Sequence, residues 1–133
     1  MKKKSINPSS LFNSREYGFS QVVVSNPGKM VFISGQVAWD EKQNIVGEND
    51  LAKQTQQSIN NLKLAIEAAG GTLENIVMLN IYIVNYQKED SLKISKILKD
   101  NFGTVSPPAT TWVSVQGLAN KEFMIEIEAQ GVI

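Results

Sequence analysis

The sequence predicts an α+β fold: one mixed β-sheet with two helices packed on one of its faces. Three observations predict it. Two stretches carry apolar residues at helical spacing. Several short runs are β-branched or alternate apolar with polar residues. The segments follow one another in the order β-β-α-β-α-β-β, which suits a layer of helices on a sheet. A chain of 133 residues is about one domain, so residues 1–133 are read as a single unit.

The elements come in this order. The first twenty residues carry turn formers such as Asn7-Pro8-Ser9-Ser10 and show little periodicity, so they read as loop. Val22-Val23-Val24 is a short β-branched run. Ser25-Asn26-Pro27-Gly28 is a turn signal, and Met30 to Val37 follows as a strand. The two runs are expected to pair as a hairpin. Asp40 to Asn49 is a polar excursion. Asp50 to Ala69 is the clearest helix, with Leu51, Ile59, Leu62, Ile66 and Ala69 on one stripe. Asn49 or Asp50 can cap its start, and Gly70-Gly71 can stop it.

Ile76 to Val84 is a strand covered on both faces. Lys88 to Phe102 is a second helix, with Leu92, Ile94, Ile97 and Leu98 as its apolar side. Ser106-Pro107-Pro108 is a rigid corner. In Ala109 to Val115, Thr110, Trp112 and Ser114 face one way and Thr111 and Val113 the other. In Phe123 to Ala129, Met124, Glu126 and Glu128 oppose Phe123, Ile125 and Ile127. With both helices on one face, the other sheet face is left bare. Tyr82, Trp112 and Met124 are expected on it, and such a face calls for a partner.

Composition excludes several chemistries. There is no Cys and no His. Disulfides, thiolate nucleophiles, Cys-based metal sites and a Ser-His-Asp triad are therefore excluded. Acid–base work falls to Asp, Glu, Lys, Tyr or water. Neither a cofactor nor a metal is expected. The thirteen basic residues balance thirteen acidic ones, so no net field draws in nucleic acid or an anionic membrane. No apolar run follows the basic start, which argues against a signal peptide, and no stretch is long enough to span a bilayer. A cytoplasmic setting fits the lack of Cys. The Lys2-Lys3-Lys4 run reads as a solvated, disordered tail. Of the basic residues, Arg15 is the single arginine. It is the only group able to make a planar, two-pronged contact with a carboxylate.

Five segments in order resemble the RidA/YjgF family, once called L-PSP endoribonucleases. They are Tyr17-Gly18-Phe19-Ser20-Gln21; Ile33-Ser34-Gly35-Gln36; the helix with Gln54, Asn60-Asn61-Leu62 and Ala68-Ala69-Gly70; Pro107-Pro108-Ala109; and Ile125-Glu126-Ile127-Glu128-Ala129. The resemblance runs from about residue 7 to the C-terminus. It implies a chorismate-mutase-like fold, a homotrimer and ligand clefts between subunits. It also implies hydrolysis of enamines and imines such as 2-aminoacrylate. In that chemistry an arginine holds the substrate carboxylate and a glutamate positions or activates water.

Two positions depart from the family pattern. Thr110 stands where the resemblance places the arginine, and Phe19 stands where active members carry Tyr. A neutral hydroxyl does not replace a guanidinium, and losing such an ion-pair partner costs a carboxylate ligand about 2–5 kcal/mol. Glu126 matches the catalytic glutamate and Gly35 the cleft glycine.

Each candidate also has a plainer reading. Glu126 and Glu128 are ordinary outward strand residues on the residues alone. Thr110 and Thr111 suit a strand by propensity, or line a hydroxyl-bearing pocket. Phe19 and Tyr17 either pack the N-terminal arm or cover the cleft. Arg15 is a solvated loop residue, or it reaches in to hold an anion. Gly35 marks a close backbone approach.

Three functions follow as expectations. The first is a homotrimer binding a small-molecule ligand in clefts lined by Phe19, Gly35, Thr110 and Glu126, with Arg15 and Tyr17 at the border. The second is an enamine or imine hydrolase with an altered substrate, using Glu126. The third is a trimeric scaffold.

Overall fold

The structure, a computed structural model, describes residues 3–133. Its main sheet has four strands in the order β3-β6-β4-β5, formed by β3 (Met30–Gln36), β4 (Ile76–Val84), β5 (Ala109–Val115) and β6 (Ile125–Val132). β6 runs antiparallel to both β3 and β4, and β5 runs parallel to β4. A parallel pair needs a crossover, and α2 (Asp90–Phe102) supplies it between β4 and β5. α1 (Leu51–Ala68) packs against β3 and β6 and against α2. The expected α+β architecture is present, with both helices on one sheet face.

The periodicities explain the core. Ile59, Leu62 and Ile66 of α1 meet Ile94 and Leu98 of α2. Beneath them lie Leu79, Ile81 and Ile83 of β4 and Ile125 and Ile127 of β6, and all of these are buried. Each such side chain contributes about 1.5–3 kcal/mol by leaving water. Asp50 caps α1 by accepting from the Lys53 N–H at 3.1 Å. Gly70 follows the helix in the left-handed conformation, at φ +97°. Two apolar positions miss the core. Leu92 is exposed, because it faces away from Ile94 and Leu98, and Ala69 falls past the helix end.

Three expectations are corrected. The hairpin between the Val22 and Met30 runs does not form. β2 (Val22–Ser25) pairs instead with β1 (Lys3–Ile6) in a separate two-stranded sheet. β3 pairs with β6, and backbone bonds between Lys29 and Ile133 clamp its start to the C-terminus. The segment between β2 and β3 is therefore a crossing from one sheet to another.

The lysine run is not a solvated tail over its described part. Lys3 and Lys4 lie in β1, and the Lys3 Nζ donates to the Ile76 carbonyl at 2.8 Å. Lys2 falls outside the described residues. The strand was hidden because Lys3-Lys4-Ser5-Ile6 has no apolar alternation and draws its pairing from β2.

Trp112 is not on the bare face. Register places it beside Ile81, on the helix side, where it packs against the core. Tyr82 does lie on the open face, together with Asn80, Glu126 and Glu128.

Candidate functional site

The N-terminal arm is sewn to the Pro107-Pro108 corner. The Ser20 N–H donates to the Pro108 carbonyl at 3.0 Å and its hydroxyl donates to the Pro107 carbonyl. Ser20 also bridges Ala109 as a short parallel contact. Upstream, Ser14–Tyr17 forms a 3-10 turn that ends at Gly18, whose φ of +86° suits glycine. A Cβ on Gly18 would also lie 3.0 Å from the Ser95 carbonyl of α2. The Ser14 hydroxyl holds the Phe19 carbonyl at 2.7 Å. These bonds deliver Phe19 to the first residues of β5.

A cleft of about 520 Å³ results, and its walls are rings. Tyr17 meets Phe12 edge-on at 6.1 Å, and Phe12 meets Phe19 at 6.2 Å. Phe19 meets Trp112 at 6.2 Å, and Trp112 meets Tyr86 at 6.4 Å. Spacings and tilts of this kind are favourable for aromatic quadrupoles. Thr110 lies among them, and its Oγ1 accepts from the Trp112 Nε1–H at 3.0 Å. Lys88 and Ser91 complete the rim. The lining does not include Arg15, which is exposed on the 3-10 turn. Among the described residues its guanidinium makes no ion pair or hydrogen bond. Within one chain Arg15 thus holds the solvated-loop position and does not line this cleft.

Glu126 and Gly35 form a second group. Register sets Glu126 opposite Tyr82 on the open sheet face. β3 is irregular between Ile33 and Gln36, and Gly35 falls within that shift. A Cβ built on Gly35 would lie 2.7 Å from the Glu126 Cδ. The missing side chain is therefore the space in which the carboxylate rests. Glu128, two residues on, accepts from the Tyr82 hydroxyl at 2.7 Å and from the Asn80 amide at 3.1 Å. The bond to Glu128 is the main cause that raises the Tyr82 pKa above its ordinary value. Burial and the charges of Glu128 and Glu126 push the same way.

Gly35 also borders a hollow of about 530 Å³, with Trp39, Gln57 and Asn61 in its wall. Asp40 lies at its edge. Its pKa is lowered, chiefly by the Asn44 backbone N–H, with the Lys42 N–H helping and slight burial opposing. The Asn61 amide binds the Val37 and Trp39 carbonyls at 2.9 Å each, fixing the exit from β3.

The structure thus brings Tyr17, Phe19 and Thr110 together, and separately Gly35 and Glu126. It does not bring the two groups together within one chain: Thr110 faces the helix side of the sheet and Glu126 the open side. Sequence reasoning missed Phe12 and Tyr86 as cleft walls. Phe12 lies in a stretch without periodicity, and Tyr86 follows the end of β4. No signal beyond their aromatic character marks either. Among the described residues no three of His, Cys, Asp and Glu gather as metal ligands, and no helix there is long and apolar enough to cross a membrane.

Two helices laid on one face of a four-stranded mixed sheet, with carboxylates on the other face and an aromatic cleft at the edge strand, define a small α+β protein of the Rid type. The chain belongs to the Endoribonuclease L-PSP family, whose sequence model matches residues 13–133. It is 33% identical over 111 residues to a RutC family protein of Pyrococcus horikoshii, covering 84% of this chain and 83% of that one. A 2-iminobutanoate/2-iminopropanoate deaminase of Dermatophagoides farinae is 31% identical over 115 residues, 86% of this chain and 85% of that one. A conserved Rid-family protein of unknown function from Yersinia pestis superposes with a TM-score of 0.95 at 36% identity, over the full length of both chains.

Proposed function

We propose that the protein is a homotrimer that binds a small metabolite in clefts between subunits, and that it is not a standard 2-aminoacrylate deaminase. The observation that carries this is the state of Thr110. It lies in a ring-walled cleft, its hydroxyl oxygen accepts from Trp112, and Arg15 is not in the lining. A carboxylate entering there finds no planar fork to hold it. Apolar walls with one hydroxyl suit a neutral or weakly polar ligand.

The trimer reading rests on the split of the site. Glu126 and Thr110 lie on opposite sheet faces of one chain, so a neighbouring copy is needed to set one against the other. The open face also exposes Phe32.

One observation favours a second reading, an enamine or imine deaminase with an altered substrate. Lys88 lines the cleft and carries a cation. A flexible ammonium at an exposed rim can attract an acid but fixes it less well than a guanidinium. In that reading Lys88 draws in the carboxylate and the neighbour's Glu126 positions water.

The deciding experiment generates 2-aminoacrylate in the assay and follows keto-acid release. The first reading expects release near the uncatalysed rate. A large acceleration, abolished by Glu126→Ala and weakened by Lys88→Ala, would establish the second.

A further inference from the structure

A cleft of about 750 Å³ lies well apart from the aromatic one. Its walls are β1, the 3-10 turn Leu73–Asn75, the C-terminal end of α2 and the loop that follows it. Leu73, Phe102 and Val105 make part of it apolar, and Glu74 and Ser106 supply polar edges. Lys3 opens into this cleft. Its position is fixed rather than loose. β1 is paired with β2, with Lys3 opposite Ser25, and the Nζ is tethered to the Ile76 carbonyl at 2.8 Å.

We infer that Lys3 is an amine nucleophile that captures small aldehydes or ketones in this cleft as a covalent imine. In the capture step the neutral Nζ lone pair forms a bond to the carbonyl carbon, the C=O π pair moves onto oxygen, and the oxygen takes up the proton that the nitrogen gives up. The resulting carbinolamine expels water and leaves the imine. Amine and carbonyl compound thus become imine and water, with no oxidant or reductant required.

A neutral amine can still donate to Ile76 and keep its lone pair free to attack. Burial lowers the Lys3 pKa to about 8, against the opposing pull of the Glu74 carboxylate. At pH 7.5 roughly a quarter of Lys3 is then neutral, against about one in a thousand for an ordinary lysine. The carboxylate of Glu74, on the same wall, stabilises the protonated imine. The apolar wall favours carbonyl compounds with a short hydrocarbon tail.

The test treats the whole folded protein with limiting butanal and sodium cyanoborohydride at pH 7.5. Fragment-ion mass spectrometry then locates the butyl mark among Lys3, its neighbouring lysines and the α-amino group. The expected result is a mark on Lys3 exceeding that on any other lysine by roughly tenfold or more, in line with its larger neutral fraction. This preference should vanish in urea, where the tether and the burial are lost. Lys3→Arg should abolish the dominant mark while leaving the others unchanged. Labelling of Lys3 no greater than that of Lys29, a mark confined to the α-amino group, or the same preference in urea would each overturn the proposal.

Discussion

The Trp112 indole N–H donates to the Thr110 hydroxyl oxygen at 3.0 Å, across two residues of one strand on the helix-facing side of the sheet. The bond gives each residue a use for the other. The indole gains a partner for a half-buried donor, and the threonine loses an acceptor site that a ligand would otherwise reach. Thr110 is therefore part of a formed wall, held in place by its neighbour.

The first prediction follows from that wall. Thr110→Arg should place a guanidinium among the rings of Phe19 and Trp112, where stacking can hold it flat. The lost Trp112 bond should cost about 1 kcal/mol of stability. In exchange, affinity for a small acid such as 2-oxobutanoate should rise by roughly 2 kcal/mol or more. Calorimetric titration of the two proteins measures this. Equal affinities would mean that the missing fork is not what limits acid binding.

Gln54 gives the second. It is fully buried on α1, yet its side chain is completely engaged. Its amide donates to the Gly47 carbonyl at 3.1 Å and the Glu122 carbonyl at 3.0 Å. Its oxygen accepts from the Met124 N–H at 2.8 Å. It thus pins the loop before α1 to the residues that enter β6, two positions ahead of Glu126. Gln54→Leu keeps the size but orphans three backbone groups. It should cost roughly 2–4 kcal/mol, read as a lowered urea midpoint. A shift below about 0.5 kcal/mol would show that water replaces the amide.

How much of this was legible depends on where the determining contacts lie. α1 was readable because its burial repeats along its own sequence, as Ile59-Leu62-Ile66 does; β4 was expected to be covered on both faces, whereas only its Leu79-Ile81-Ile83 side is buried and Asn80 and Tyr82 lie on the open face. The pairing of β3 with β6 was not readable, because the clamp between Lys29 and Ile133 joins distant parts of the chain. β1 was missed for the same reason: its partner, not its pattern, makes it a strand. Glu126 and Gly35 were singled out as site candidates through a motif, and the structure adds that one occupies the room left by the other. Phe12 and Tyr86 carried no periodic signal, and the ring chain that includes them exists only after the arm is tied to Pro107 and Pro108.

The third prediction concerns assembly. Phe32 is 72% exposed on β3 and shares the open face with Gln130. A large ring left in water gains little within one chain and much against a second copy. Phe32→Glu should leave the melting of the isolated fold nearly unchanged and should break the oligomer. Light scattering at micromolar concentration should give a trimer for the natural protein and a monomer for the variant. A natural protein that is already monomeric would remove the inter-subunit cleft from the functional reading.

The last prediction is a pH dependence of the open face. Tyr82 donates to a carboxylate, Glu128, and Glu126 lies directly opposite it in register. Ionising the phenol would destroy the bond and put a third negative charge beside two others, so the neutral form is favoured and the pKa is raised. The unfolded chain binds fewer protons than the folded one between the ordinary tyrosine pKa, about 10, and the raised folded value. Stability from this bond is accordingly complete below about pH 10 and falls as pH rises through the folded pKa. Ultraviolet titration should place the Tyr82 transition, assigned by its loss in Tyr82→Phe, above the ordinary range. Glu128→Gln should bring it down by removing both the acceptor charge and the repulsion. A transition that does not move in Glu128→Gln would mean that Glu128 is not the group holding the phenol neutral.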